Sequence, residues 1–140
     1  MSAAEQMIDL PETPEADIRR LVEQQKKAHI VEGPMTAERR IDLIDRCIAI
    51  LVDNKDAIVD ALNADFGNRS PEGSLASDVG MTIAALKHNK KNVRKWMKAS
   101  KRKSMFPLGL LGASTRVEYQ PLGCVGNVVP WNFPFNLCFG

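Results

Sequence analysis

What this chain lacks narrows its class before any motif is read. It has no excess of one charge, since 19 lysines and arginines stand against 17 aspartates and glutamates in 140 residues. A balance that close to neutral implies no polyanionic partner by itself. It has only three cysteines, Cys47, Cys124 and Cys138, an odd number without metal-like spacing. That argues against a disulfide framework and against a zinc site. Cys124 and Cys138 lie in apolar runs and Cys47 lies on a helical apolar face, where cysteine behaves as a small hydrophobe. No apolar run is long enough to span a bilayer. The N-terminus carries Glu5, Asp9, Glu12 and Glu15 in place of the basic-then-apolar pattern of a secretory signal. No internal repeat or low-complexity segment is evident. These absences point to a chain with no membrane partner, no nucleic-acid partner and no metal, in a reduced, cytoplasmic setting.

What is present is a core's worth of apolar residues, 44% of the chain, in a length usual for one domain. Residues 1–12 read as a disordered N-terminus and residues 13–104 as a helical segment. Thr13 and Pro14 predict a helix start, Thr13 as N-cap and Pro14 at the first helical position, with Glu15 and Asp17 in the first turn. Ile18, Leu21, Val22 and Gln25 then share a face at helical spacing, and Gly33-Pro34 stops the helix. Thr36 caps a second helix with the stripe Ile41, Ile44, Ile48, Leu51 and Val52. Asn54 caps a third, carrying Ile58, Val59 and Leu62 and ending at Gly67. Ser70-Pro71 opens the fourth and longest, with Leu75, Val79, Ile83, Leu86, Val93 and Trp96 as its stripe. All four stripes read as core faces.

Between residues 87 and 103 every charged side chain is basic: Lys87, Lys90, Lys91, Arg94, Lys95, Lys98, Lys101, Arg102 and Lys103. Such a run can be a nucleic-acid or acidic-membrane patch. It can equally be a solvated helix face whose cations sit well near the helix C-terminus. The second reading is preferred, because the run's aromatic, Trp96, belongs to the apolar stripe.

Residues 105–122 read as a connector followed by a strand. Pro107, Gly109 and Gly112 punctuate the connector, and Thr115, Val117 and Tyr119 alternate with Arg116, Glu118 and Gln120 as in a half-buried strand. Residues 121–140, PLGCVGNVVPWNFPFNLCFG, begin with a Pro-Leu-Gly turn and run into an apolar stretch broken by Gly126 and Asn127. A short apolar run bounded by turn residues predicts a strand buried on both faces, as in a parallel sheet. Pro134 predicts the first turn of a helix. Residues 130–133 are then a strand-to-helix loop at the carboxyl end of a parallel strand, the place where open α/β sheets bind ligands. Gly123-Cys124-Val125-Gly126 is not the GxGxxG phosphate fingerprint, and its glycines precede the strand instead of following it.

Pro130-Trp131-Asn132-Phe133-Pro134, with the upstream Pro121-Leu122-Gly123, resembles the first strand and loop of the NAD(P)-dependent aldehyde dehydrogenase superfamily. Ala64-Asp65-Phe66-Gly67-Asn68-Arg69-Ser70 and Arg116-Val117-Glu118-Tyr119-Gln120 resemble its coniferyl aldehyde dehydrogenase branch. The resemblance runs from about Leu21 to the end of the chain. It implies an α/β fold, with N-terminal helices followed by strands that open a Rossmann-like parallel sheet. In it, residues 123–140 are the first strand and loop of an incomplete dinucleotide-binding domain, and the strand at 114–120 belongs to a small sheet used in subunit association. It implies NAD or NADP as cofactor, an aldehyde as substrate (an aromatic one by the branch resemblance), and a homodimer as the complete enzyme.

The chemistry expected of this loop rests on Asn132. Aldehyde oxidation through a thiohemiacetal creates a negative oxygen that needs preorganised hydrogen-bond donors in a dry site. A side-chain amide donates without adding charge. Asparagine is also a favoured helix cap, so Asn132 read alone is a cap for the helix that follows; the resemblance makes it the catalytic oxyanion donor. By the same resemblance Val129, Pro130 and Trp131 line the cofactor cleft, a role compatible with plain packing of the indole. The family's nucleophile, base and adenosine-binding lysine fall beyond Gly140, so the chain is expected to be inactive as it stands. Two readings compete: a stand-alone helical module that uses the basic run at 87–103, and a truncated, non-catalytic remnant.

Overall fold

The computed structural model describes residues 12–140; the disordered N-terminus expected at 1–12 lies almost wholly outside them. Local chemistry sets most helix boundaries. Helix α1 spans Glu15–Glu32 and α2 spans Ala37–Asp53. Pro14 takes φ −56 and ψ 139, an extended conformation outside the helix. Helix α1 therefore begins one residue later than expected, and the Thr13 side chain does not cap it. Gly33 ends it at φ 68, a left-handed value that glycine adopts without a Cβ penalty. Thr36 caps α2 as expected, its hydroxyl accepting from the Arg39 N–H at 3.2 Å. Helix α3 spans Lys55–Phe66 and stops at Gly67 with φ 73. Asn54 sits at its N-cap position, but the Asn54 amide donates back to the Ile50 carbonyl at 2.8 Å and so closes α2 instead.

The long helix opens where expected, with the Ser70 hydroxyl accepting from the Gly73 N–H and Pro71 in the first turn. It is not α-helical throughout. A first turn, α4 (Pro71–Ser74), passes into a π-helical stretch over Leu75–Gly80 and then into α5 (Met81–Trp96). The Met81 N–H reaches back to the Ala76 carbonyl, the wide spacing of a π turn. The π turn carries Asp78 and Val79 inward, and leaves Leu75, expected in the core stripe, 43% exposed.

Leu51, Ile58, Leu62, Val79 and Leu86 form the core, with Ile44, Cys47, Ile48, Ile83 and Phe135 packed against it. One side chain or more from each expected stripe on α2, α3 and α5 is thus in place, while Val52 and Trp96, at 48% each, remain exposed. The face of α1 is a correction. No residue of α1 is buried, and Ile18 and Leu21 stand about half exposed; the turn at 123–124 meets its later half at Gln25 and His29.

The sheet is also corrected. Strand β1 (Ser100–Arg102) pairs antiparallel with β2 (Thr115–Val117), Ser100 opposite Val117 and Arg102 opposite Thr115. The expected strand at 114–120 is present in its middle, and its partner comes from the end of the basic run. No parallel sheet forms among the described residues, and residues 124–129, expected as its first strand, pair with nothing. A helix satisfies its backbone internally, whereas a parallel strand takes its hydrogen bonds from neighbours that these residues do not supply. The chain closes with α6 (Pro134–Phe139), Pro134 in its first turn as expected.

Candidate functional site

The loop ahead of α6 is held from one side by a charged pair that is largely removed from solvent. Arg69 lies between α3 and α4, and its side chain is 15% exposed against Asp78, whose side chain is 0% exposed. Arg69 Nη2 donates to Asp78 Oδ2 at 2.6 Å and to Ser77 Oγ at 3.3 Å. Its Nη1 donates to the backbone carbonyl of Asn132 at 2.7 Å. The guanidinium also lies over two rings, 5.2 Å from the centroid of Phe66 and 5.4 Å from that of Phe133. Asp78 uses its other oxygen, Oδ1, to accept from the Phe135 N–H at 3.3 Å. The Thr82 hydroxyl donates to the Asp78 carbonyl, and the Ser77 hydroxyl to the Gly73 carbonyl, so the π turn is bonded on both sides of the acid.

This geometry locates each residue singled out in the sequence. Val129 is half-buried, and Pro130 is exposed. Trp131 is 84% exposed and, with Phe66 and Asp65, lines an open cleft of about 310 Å³. Asn132 is exposed, and it is its carbonyl, not its amide, that is tied to Arg69. The residue preceding α6 is Phe133, and no side chain caps that helix. The capping alternative for Asn132 therefore finds no hydrogen bond in the structure. Asn127, a polar interruption of the apolar run, is exposed and donates to the Cys138 carbonyl at 3.3 Å.

Upstream, the Pro-Leu-Gly turn rests on α1. Gly123 takes φ 94, and a Cβ there would meet the His29 ring at 3.2 Å, so both conformation and space favour glycine. Next to it the Cys124 thiol donates to Gln25 Oε1 at 3.0 Å. The three cysteines are free and partly buried. Among the described residues no cluster of His, Cys, Asp and Glu stands ready to hold a metal, and no helix is long and apolar enough to cross a membrane.

The basic run is partly spoken for. Lys90 donates to both oxygens of Asp45 on α2, at 2.6 and 2.7 Å. Arg94 bonds Glu38 at the start of α2 and holds that carboxyl below its ordinary range, helped by the backbone there. The residues best placed to organise the loop, Arg69 and Asp78, were not singled out for that role in the sequence. One local signal was available: Asp78 sits beside Val79 inside an apolar stripe, and a carboxylate on a core face needs a partner.

With this geometry in place, known proteins give a consistent match. The family model described as the aldehyde dehydrogenase family covers residues 2–140. Coniferyl aldehyde dehydrogenase of Pseudomonas sp. (strain HR199 / DSM 7063) is 49% identical over 119 residues, 85% of this chain and 24% of that protein. A probable coniferyl aldehyde dehydrogenase of Caulobacter vibrioides is 47% identical over 120 residues, 85% of this chain and 25% of that protein. A 4,4'-diapolycopene-4,4'-dial dehydrogenase of Cytobacillus firmus is 27% identical over 128 residues, 91% of this chain and 28% of that protein. The chain thus spans about a quarter of the length of the curated relatives it matches. No solved structure gives a significant match.

Proposed function

The chain belongs to the aldehyde dehydrogenase family, and from that premise we propose that it supplies the oxyanion-donor loop of an enzyme that oxidises an aldehyde to its carboxylic acid with NAD or NADP. In this reading residues 123–140 open the dinucleotide-binding domain, and residues 124–129 become the first strand of a parallel sheet once neighbouring strands pair with them. Residues 13–104 are the helical segment behind the loop, and residues 105–122 the connector and association strand of a homodimer. The free cysteines agree with a reducing, cytoplasmic setting.

Asn132 is the catalytic residue of this reading. Addition of a nucleophile to the aldehyde carbon puts negative charge on the carbonyl oxygen. A preorganised amide N–H stabilises that charge more than it stabilises the neutral substrate. The observation that carries the reading is that the Asn132 backbone is pinned while its amide is left uncommitted to capping and open to solvent.

In this reading Val129, Pro130 and Trp131 form one wall of the dinucleotide cleft. The support is Trp131, which offers an exposed indole and lines an open cleft with Asp65 and Phe66. Nothing among them forms a cradle of N–H donors for a pyrophosphate, so their part is to pack against the cofactor. NAD or NADP, when bound, accepts the hydride.

An aromatic aldehyde of the coniferyl type is the proposed substrate, supported by the names of the relatives with the highest identities quoted above. A higher kcat/KM for coniferyl aldehyde than for a short aliphatic aldehyde is the expected result, and the reverse order would remove this preference. For the donor itself, Asn132→Ala in the complete enzyme is expected to lower turnover by about 10²–10³-fold, the usual loss for one such donor. The KM for cofactor should stay put. If Asn132 acted only as a helix cap, about 0.5–2 kcal/mol of stability would go with turnover intact. Steady-state kinetics and thermal unfolding on the same pair of proteins separate the two.

A further inference from the structure

We propose that Arg69, locked against Asp78, is the positioning residue that sets the direction in which Asn132 presents its amide; this rests on the donor reading above. The Asn132 carbonyl belongs to the peptide plane that joins Asn132 to Phe133. Fixing that carbonyl on Arg69 Nη1 at 2.7 Å fixes the plane, and the plane fixes the Cα from which the Asn132 side chain leaves. A second tie anchors the far side of the loop: the Phe135 N–H bonds Asp78 Oδ1 at 3.3 Å, so both sides of the loop hang from one ion pair.

Only an arginine has the geometry for this. Its planar fork donates in fixed directions, here to Asp78, Ser77 and the Asn132 carbonyl at once. The guanidinium lies over the rings of both Phe66 and Phe133, at 5.2 and 5.4 Å from their centroids, and these contacts restrict the fork. A lysine would keep the charge and lose the bridge. The acid end is as constrained as the basic end. Asp78 is completely buried in a π turn; Thr82 holds the Asp78 carbonyl of that turn, and Ser77 ties the turn back to the Gly73 carbonyl of α4. A buried ion pair adds little stability over a well-packed apolar pair, so what it contributes at this position is direction.

The test is a double-mutant cycle in the complete enzyme: parent, Arg69→Lys, Asn132→Ala, and both together. Arg69→Lys is expected to lower kcat by up to about 10²-fold, the scale of loss when a group is displaced by about an ångström, with the KM for cofactor unchanged. In the Asn132→Ala background the same change should have no further effect on kcat, because the group it positions is gone. Phe66→Leu, half exposed and outside the ion pair, provides a second variant with lower risk to folding. Because Phe66 also lines the cleft with Trp131, it is read at saturating cofactor from kcat alone, where a smaller loss confined to the Asn132 background is expected. Unchanged kcat in the folded variants, or an equal loss in both backgrounds, overturns the proposal and leaves the pair a structural tie. If Asn132→Ala itself leaves kcat intact, the donor reading falls first and the positioning role falls with it. A loss confined to the Asn132 background supports both.

Discussion

The inner faces of α2, α3 and α5 and the segment at 122–131 draw on the same kinds of residue, yet they end in opposite environments. Leu51 and Leu62 keep 2% and 3% of their surface, while Leu122 and Val128 keep 93% and 100%. Apolar content does not distinguish the two regions. What differs is how each satisfies its backbone. The helices complete their hydrogen bonds internally, and their stripes need only find one another, which α2, α3 and α5 do around Val79 and Leu86. The segment at 124–129 needs neighbouring strands for its hydrogen bonds, and with none among the described residues Val125 and Val128 face solvent. Burial here follows from pairing, and the loop that bears Asn132 is tied to the helical region through Arg69 and Asp78.

Substitutions on the two sides should therefore differ sharply. Leu62→Ala removes a fully packed side chain from the core and is expected to cost about 2–5 kcal/mol in the 140-residue chain, read from denaturant unfolding. Val128→Ala, at a fully exposed position, should stay within about 0.5 kcal/mol of the parent. Comparable losses at the two sites would mean that the second region is packed in solution, and the contrast would fail.

How much of this was legible in the sequence follows the same division. Thr36, Ser70, Gly33 and Gly67 were readable as helix boundaries because their effect is local and their partners lie within a turn. Asn54 was readable as a boundary, but not for the helix its amide serves. The π turn was invisible, since a one-residue widening leaves the spacing of apolar residues nearly helical. Strand β1 was hidden inside the basic run, where Ser100 and Arg102 carry no strand signal of their own and are recruited by Thr115 and Val117. The loop with Asn132 stood out from its prolines, but the residue that holds it did not. Arg69 finds its partners at Asp78 and Asn132, the second 63 residues away, and no local pattern encodes that contact.

A smaller effect sharpens the contrast from the exposed side. A long apolar segment with open backbone groups is a template for pairing with another chain. Leu122, Val125 and Val128 are all exposed, so the 140-residue chain is expected to self-associate as its concentration rises. Val128→Lys should reduce this, since a charge on an open strand edge blocks such pairing. Light scattering across a concentration series gives the answer. A parent chain that stays monomeric throughout would show that this segment is covered in solution by something in the chain itself.

The smallest expected effect lies at the rim between the two environments, where α5 meets the start of α2. The Glu38 carboxyl is held below its ordinary range first by the hydrogen bond from Arg94, then by the backbone at the helix start and by the Arg94 charge. A carboxyl with a lowered folded-state pKa binds its proton less readily folded than unfolded. Its contribution to stability is then present above the unfolded-state value and is lost as pH falls through the folded-state value. Glu38 and Arg94 are both well exposed, so solvent and salt screen the pair and the contribution is slight. Glu38→Gln is expected to lower the unfolding midpoint a little at neutral pH. The two proteins should converge as the solution is acidified past the carboxylate range, and the gap at neutral pH should narrow in high salt. The Leu62→Ala deficit should survive both changes, because apolar burial carries no charge to titrate or screen. A Glu38→Gln deficit that persisted in acid would mean that the contact acts by packing, and would place this rim with the core instead of with the solvent-exposed segment.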